Sequence, residues 1–324
     1  MNEHLVEAQD LTIKFRRKSS KLVVLKQEYF AAVDQVNFYI DQGETYGLVG
    51  ESGSGKSTIG KAILRYHQPD SGHILFEGND ITSLKEKELE PYRRKMQAIF
   101  QDPFSSLDPT MTVSDSISEP LLIHHICSKQ EAKEMAAKLL EDVGLQKNDQ
   151  YKYPHEFSGG QRQRICIARA LAIHPEFVVC DEPVSALDVS LQAQMIRLFE
   201  SLQQEYGLTY LFISHQLQVV RRICDRIGVL YLGSLLEDGV AEKIYENPLH
   251  PYTKLLLSSM LEADPDVPSL DNITIDTGVQ EYSGKGCKFA NRCPYATQRC
   301  KEETPTLQEV EPGHRVACFQ PNIL

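Results

Sequence analysis

Short apolar runs alternate with longer stretches of helical periodicity along most of this chain. Thr45–Val49 and Thr209–Ile213 read as short strands, and Phe177–Cys180 is a continuous apolar run, as expected of a strand covered on both faces. Lys95–Phe100 reads as a further strand. Between them lie segments at helical spacing. Lys56–Tyr66 carries Ile59, Ile63 and Leu64 on one face, and Glu131–Val143 carries Ala132, Met135, Ala136, Leu139 and Leu140. Gly160–Ile173 and Ser190–Gln204 have the same period. Strands alternating with helices predict an α/β domain around a largely parallel sheet. Thr12–Phe15, Val33–Ile40 and His73–Glu77 read instead as an antiparallel edge, so a mixed sheet is expected. The most apolar run, Ile227–Leu232, is strand-sized, and none reaches the ~18 residues of a membrane span.

Composition narrows the function classes. The 324 residues are 41% hydrophobic and 24% charged, which excludes a wholly disordered or fibrous chain. The formal charge is −11, and an acidic chain is poorly suited to gripping a nucleic-acid backbone. Met1–Asp10 is polar and acidic and does not read as a secretory signal. A cytosolic location is therefore expected, with the eight cysteines not engaged in disulfides. Four of these cysteines crowd the C-terminal end, beyond Glu262–Ser283. That stretch is rich in Asp, Pro, Thr and Gly and reads as a linker.

The strongest chemical signal is Gly50-Glu51-Ser52-Gly53-Ser54-Gly55-Lys56-Ser57, between a strand and a helix. Glycines let the backbone curl so that N–H groups point at phosphate oxygens, and the helix start adds positive potential. Lys56 supplies a charge for the phosphates, and the Ser57 hydroxyl suits Mg²⁺. Thr58 follows in the helix. Asp181-Glu182 closes the buried strand Phe177–Cys180. Asp181 suits the same metal, and Glu182 is placed to polarise an attacking water. His215 follows the strand Tyr210–Ile213, where it can reach the terminal phosphate, although a lone histidine is more often structural.

The segment Phe157-Ser158-Gly159-Gly160-Gln161-Arg162-Gln163-Arg164 resembles the signature loop of the ATP-binding-cassette (ABC) ATPases. The order along the chain is similar to that family over about residues 5–260. It runs from the phosphate loop to Gln101, the signature, Asp181-Glu182, Ser185-Ala186-Leu187-Asp188 and finally His215. The resemblance implies a P-loop nucleotide-binding domain over 1–262 with a helical subdomain at about 103–160. It implies ATP and Mg²⁺, with Ser57, Gln101 and Asp181 at the metal, Glu182, His215, Lys56 and Gln101 in catalysis, Asp188 at the nucleotide, and Ser158, Gly159 and Gly160 facing the nucleotide of a partner. Phe15, Tyr29 and Phe30 are three candidates for stacking on adenine, with Arg16–Glu28 read as an insertion.

Two further stretches resemble the oligopeptide/dipeptide/nickel importer branch. They are Gln101-Asp102-Pro103-Phe104-Ser105-Ser106-Leu107-Asp108-Pro109 and Asn247-Pro248-Leu249-His250-Pro251-Tyr252-Thr253-Lys254-Leu255-Leu256. That branch implies uptake of peptides or a related small cargo. It implies a second ATPase of the same family as heterodimer partner, two membrane permeases and an external substrate-binding protein. The chain would then sit peripherally on the cytoplasmic face of the membrane. A soluble ABC ATPase acting on ribosomes or DNA is the alternative, disfavoured by the single cassette and the negative charge.

The tail over 263–324 holds Cys287, Cys293, Cys300 and Cys318, spaced C-x5-C-x6-C-x17-C. It resembles the C-terminal extension of the same branch, some members of which carry a 4Fe-4S cluster there. From the residues alone, the spacing lacks the paired C-x2-4-C of structural zinc and suits an iron–sulfur cluster at least as well. Zinc with His314 as a mixed ligand and four metal-free thiols remain open. So short a segment cannot build its own core, so it needs a staple or docking onto the cassette. Its distance in sequence from Lys56 and Glu182 predicts a structural or docking role with no electron transfer to the ATP site.

Overall fold

A computed structural model describes residues 4–16, 29–261, 282 and 284–321. Its strands are β1 (Val6–Arg16), β2 (Tyr29–Ile40), β3 (Thr45–Val49), β4 (Ser71–Phe76), β5 (Asn79–Asp80), β6 (Met96–Ile99), β7 (Phe177–Asp181), β8 (Thr209–Ile213), β9 (Arg226–Tyr231), β10 (Ser234–Val240), β11 (Gln308–Glu311) and β12 (His314–Val316). The helices are α1 (Lys56–Ile63), α2 (Glu86–Lys95), α3 (Pro103–Ser106), α4 (Val113–Ile123), α5 (Lys129–Asp142), α6 (Gly159–Leu171), α7 (Val189–Tyr206), α8 (Leu217–Ile223), α9 (Ala241–Glu246), α10 (Pro251–Leu261) and α11 (Gln298–Glu302). The linker read over Glu262–Ser283 falls, apart from Tyr282, outside the described residues, as does the insertion from residue 17 to 28.

The central sheet has eight strands in the order β11-β12-β10-β9-β3-β8-β7-β6. Pairing is parallel from β9 through β6 and antiparallel among β9, β10, β12 and β11. Period-two alternation sorts each parallel strand between two cores. Val178, Cys180, Tyr210 and Phe212 face α6 and α7, whereas Phe177, Val179, Leu211 and Ile213 face α1 and the antiparallel strands. Both faces are covered, which is why β7 and β8 read as unbroken apolar runs. The antiparallel strands expected at the edge of this sheet form a separate one, in the order β2-β1-β4-β5. Their apolar faces pack on the central sheet, where Phe38 stacks on Tyr46 at 5.1 Å. The mixed character of the main sheet comes from β10–β12, which lie in segments the apolar pattern did not single out.

Helix starts follow local chemistry. Ser158 caps α6 by accepting from the Gln161 N–H, and the Gln161 side chain accepts from the Ser158 N–H. Asp188 caps α7 by accepting from the Leu191 N–H at 2.9 Å. Gly207 ends α7 in the left-handed conformation.

The cysteine-rich tail is docked on the cassette. β12 extends the main sheet at β10, and Arg315 grips the buried Asp238 at 2.9 and 2.7 Å. Phe289, 1% exposed, packs among Tyr231, Tyr252 and His250. His314 is fully buried, with Nε2 2.7 Å from Glu237. It therefore belongs to the sheet edge, and the mixed cysteine–histidine zinc reading loses its histidine.

His250 reports on this joint. Its Nδ1 accepts from the Tyr252 N–H at 3.0 Å, so its proton sits on Nε2. Burial lowers its pKa to about 4, against a smaller opposing influence of Glu237. The fold binds the neutral ring, so this stabilisation is complete above pH 6.5 and is lost as pH falls towards 4. Between pH 7.5 and 5, the wild type should lose on the order of 1–2 kcal/mol more unfolding free energy than His250→Asn, whose Oδ1 still accepts from Tyr252. Urea titrations at the two pH values check this, and parallel slopes for the two proteins would refute it.

Candidate nucleotide site

Three parallel strands deliver the site residues to one end of the sheet. β3 runs into the phosphate loop, β7 ends in Asp181-Glu182, and β8, hydrogen-bonded to both, leads to His215. The loop is threaded between neighbouring backbones. A Cβ on Gly50 (φ +148°) would lie 2.1 Å from the Leu230 carbonyl oxygen, and one on Gly55 (φ +106°) 2.3 Å from that of Ala32. Only glycine fits either position.

Lys56 is buried, with Nζ donating to the carbonyls of Gly50 (2.8 Å) and Glu51 (2.9 Å) and to Ser54 Oγ (3.3 Å). Burial lowers its pKa, and Glu182, Asp181 and Glu51 oppose that. Ser57 Oγ donates to Asp181 Oδ1 at 2.8 Å, although the two are far apart in sequence. Burial raises the Asp181 pKa. Glu182 stands in the left-handed region (φ +50°), its N–H held by the Ile213 carbonyl at 2.9 Å. Such backbone strain in a non-glycine residue concentrates at functional positions. Its carboxylate receives Gln101 Nε2 at 3.0 Å on one oxygen and faces His215 Nδ1 at 3.1 Å on the other. Ser185, visible in the sequence only as part of a motif, also receives Gln101 Nε2, at 3.3 Å.

Lys56, Ser57, Gln101, Asp181, Glu182 and His215 thus form one constellation. Gly50, Asp188 and His215 line a common cleft of about 780 Å³. Ser52 and Gly53 lie exposed on the loop, and Thr58 follows half-buried in α1. Ser158, Gly159 and Gly160 are elsewhere, at the start of α6. Among the described residues no hydrogen bond joins them to the phosphate loop, and nothing lies within 4 Å of a Cβ placed on Gly159. Of the three aromatics, Phe15 packs against His67 and the core, whereas Tyr29 and Phe30 are 58% and 49% exposed.

A groove of about 400 Å³ opens beyond Gln101, between β6, α4 and α6. Ser106, Glu119, Ile123 and Cys166 line it, and Arg169 crosses it to Glu119 at 2.7 Å.

Cys287, Cys293, Cys300 and Cys318 line one small apolar pocket with His250 and Phe289. Burial pushes the Cys287 thiol up to about 11 and raises those of Cys293 and Cys318. No group of three or more His, Cys, Asp or Glu side chains among the described residues is placed to hold a metal ion. The four thiols line this pocket without making up such a group.

Comparisons with known proteins agree with this geometry. Residues 33–185 match the ABC transporter family, and residues 236–300 match the oligopeptide/dipeptide transporter C-terminal region. The oligopeptide transport ATP-binding protein AppF of Bacillus subtilis is 47% identical over 98% of this chain and 97% of its own. OppF of the same organism is 50% identical over 89% and 90%. Among solved structures, the ATP-binding cassette MJ0796, a dimer bound to ADP and Pi, is 29% identical over 73% of this chain and 98% of its own, with a TM-score of 0.65. The chain belongs to the ATP-binding subunits of ABC transporters, in the oligopeptide/dipeptide branch, and it is an ATPase.

Proposed function

We propose that this chain binds and hydrolyses ATP to drive peptide uptake through membrane permeases served by an external substrate-binding protein. The observation that carries the reading is the Glu182 carboxylate, held between Gln101 and His215 beside the Ser57–Asp181 pair. The phosphate loop binds the triphosphate, with Lys56 leaving its own loop carbonyls for phosphate oxygens. Ser57, Asp181 and Gln101 offer hard oxygen donors that suit Mg²⁺. The metal supplies charge neutralisation between the phosphates. Glu182 polarises the attacking water, and His215 holds Glu182 and the terminal phosphate.

The separation of Ser158–Gly160 from the phosphate loop supports a head-to-tail pair, here with a second ATPase of the same family. In it each signature, with Asp188, completes the partner's site through the N–H groups at the start of α6. The groove beyond Gln101 receives a permease helix, and Gln101, bonded to Glu182, reports the nucleotide state to it. The chain then works as a peripheral subunit on the cytoplasmic face, and no helix among the described residues is long and apolar enough to cross a membrane. The division is a cassette over 1–262, with its helical subdomain at 103–160, and a docked extension over 263–324. Phe15, Tyr29 and Phe30 flank the place for adenine, since β2 reaches the phosphate loop at Ala32.

In the assembled transporter, Glu182→Gln should bind ATP normally and lose hydrolysis by about 10²–10⁴-fold. Lys56→Ala should weaken ATP binding itself. Hydrolysis at the wild-type rate by the Glu182→Gln complex would refute the assignment. Ser158→Arg should impair turnover at the site whose phosphate loop belongs to the partner while leaving this chain's own ATP binding intact. Equal loss of both would refute the head-to-tail arrangement.

The four tail cysteines are the finer part of the proposal, as holders of a 4Fe-4S cluster. Support comes from their lining of a single pocket, since a cluster brings iron and sulfide into a cavity and needs its thiolates around it. Protein purified without oxygen should be brown, with iron and acid-labile sulfide near stoichiometric. Colourless anaerobic protein without either element would sink the cluster.

A further inference from the structure

The tail, far from the phosphate loop in sequence, lies against it in the fold. Arg292, in the turn between Cys287 and Cys293, places one guanidinium nitrogen 3.0 and 3.1 Å from the two carboxylate oxygens of Glu51. Glu51 is the second residue of the phosphate loop. Its N–H donates to the Tyr252 hydroxyl at 3.0 Å, and its carbonyl accepts from Lys56. All three polar groups of this one residue are therefore taken, two of them from outside the loop. The anchors are themselves fixed. Tyr252 is fully buried against Tyr231 and Phe289, and Arg292 also donates to the Tyr231 hydroxyl at 3.3 Å.

The charges make this contact consequential. Glu51 puts a carboxylate into a loop built for a polyanion, close enough to act on the Lys56 ammonium. Unpaired, it repels the triphosphate and competes for Lys56. Arg292 cancels that charge. Both groups are partly exposed, so the ion pair by itself adds little to folding stability. Its effect falls on the charge balance the nucleotide meets. We propose that Arg292, from the cysteine-rich tail, is a positioning residue for the nucleotide site, neutralising Glu51 and holding the phosphate loop with Tyr252, so that the tail sets ATP affinity. This rests on the reading of the loop as the ATP site.

The test is ATP binding by the full chain, with kcat and KM from the assembled complex. Arg292→Ala should raise the Kd and KM for ATP about three- to tenfold, with kcat at saturating ATP unchanged within about twofold. Arg292→Lys should keep most of the affinity. The decisive variant is Arg292→Ala combined with Glu51→Gln. If charge is the cause, removing the carboxylate restores the affinity that losing the arginine took away. An unchanged Kd in Arg292→Ala, or a double variant no better than the single one, overturns the inference and leaves the ATP site standing. A wild-type chain that binds no ATP overturns the underlying reading along with it.

Discussion

The parallel pairing of β3, β8 and β7 is the constraint on which the site depends. These strands come from distant parts of the chain, and each contributes a piece of chemistry only at its C-terminal end. With β8 bonded to both neighbours, Ser57 comes within hydrogen-bonding reach of Asp181, and Glu182 of His215. A shift of register by one residue would turn β7 over, exchanging Val178 and Cys180 with Phe177 and Val179 between the two cores. The apolar packing on both faces therefore also sets the positions of the carboxylates.

A second consequence of this architecture is that the signature segment at the start of α6 makes no hydrogen bond to the phosphate loop among the described residues. At the start of α6 Gly159 has open space around it, while Gly160 is buried and the Gln161 N–H is taken by the Ser158 cap. Such a surface is a ready anion site without an anion of its own. In the proposed head-to-tail pair, a second cassette would complete that geometry along the cleft of Gly50, Asp188 and His215. MJ0796, the dimeric cassette bound to ADP and Pi, has the same fold.

The tail changes the picture of where regulation can enter. Tyr231, Tyr252, His250 and Phe289 form one aromatic joint between cassette and extension. The cysteine pocket is built on that joint, and Arg292 projects from it to Glu51. In the proposed reading, whatever fills or alters the pocket acts on residues one or two side chains from the phosphate loop. Coupling over so short a path needs no large motion, because the packed aromatic joint leaves little room for the tail to shift independently.

Much of this was legible in the sequence, for identifiable reasons. The phosphate loop, the strand-end carboxylates, the signature and its cap at Ser158 are local patterns whose chemistry depends on neighbours in the chain. β7, β8 and α5 declared themselves by apolar period alone. Tertiary structure decided what depends on residues far apart. It separated the antiparallel strands into a second sheet, because their apolar faces are needed as a layer over the first. It placed β12 beside β10 through Asp238 and Arg315, which no local pattern encodes. Glu51 was the one visible hint of the contact with Arg292, since an acid in a phosphate loop calls for a nearby cation. The sequence alone could not say which of the 34 lysines and arginines supplies it. The pairing crosses some 240 residues, and only the docking of Phe289 on Tyr231 and Tyr252 brings the two charges together.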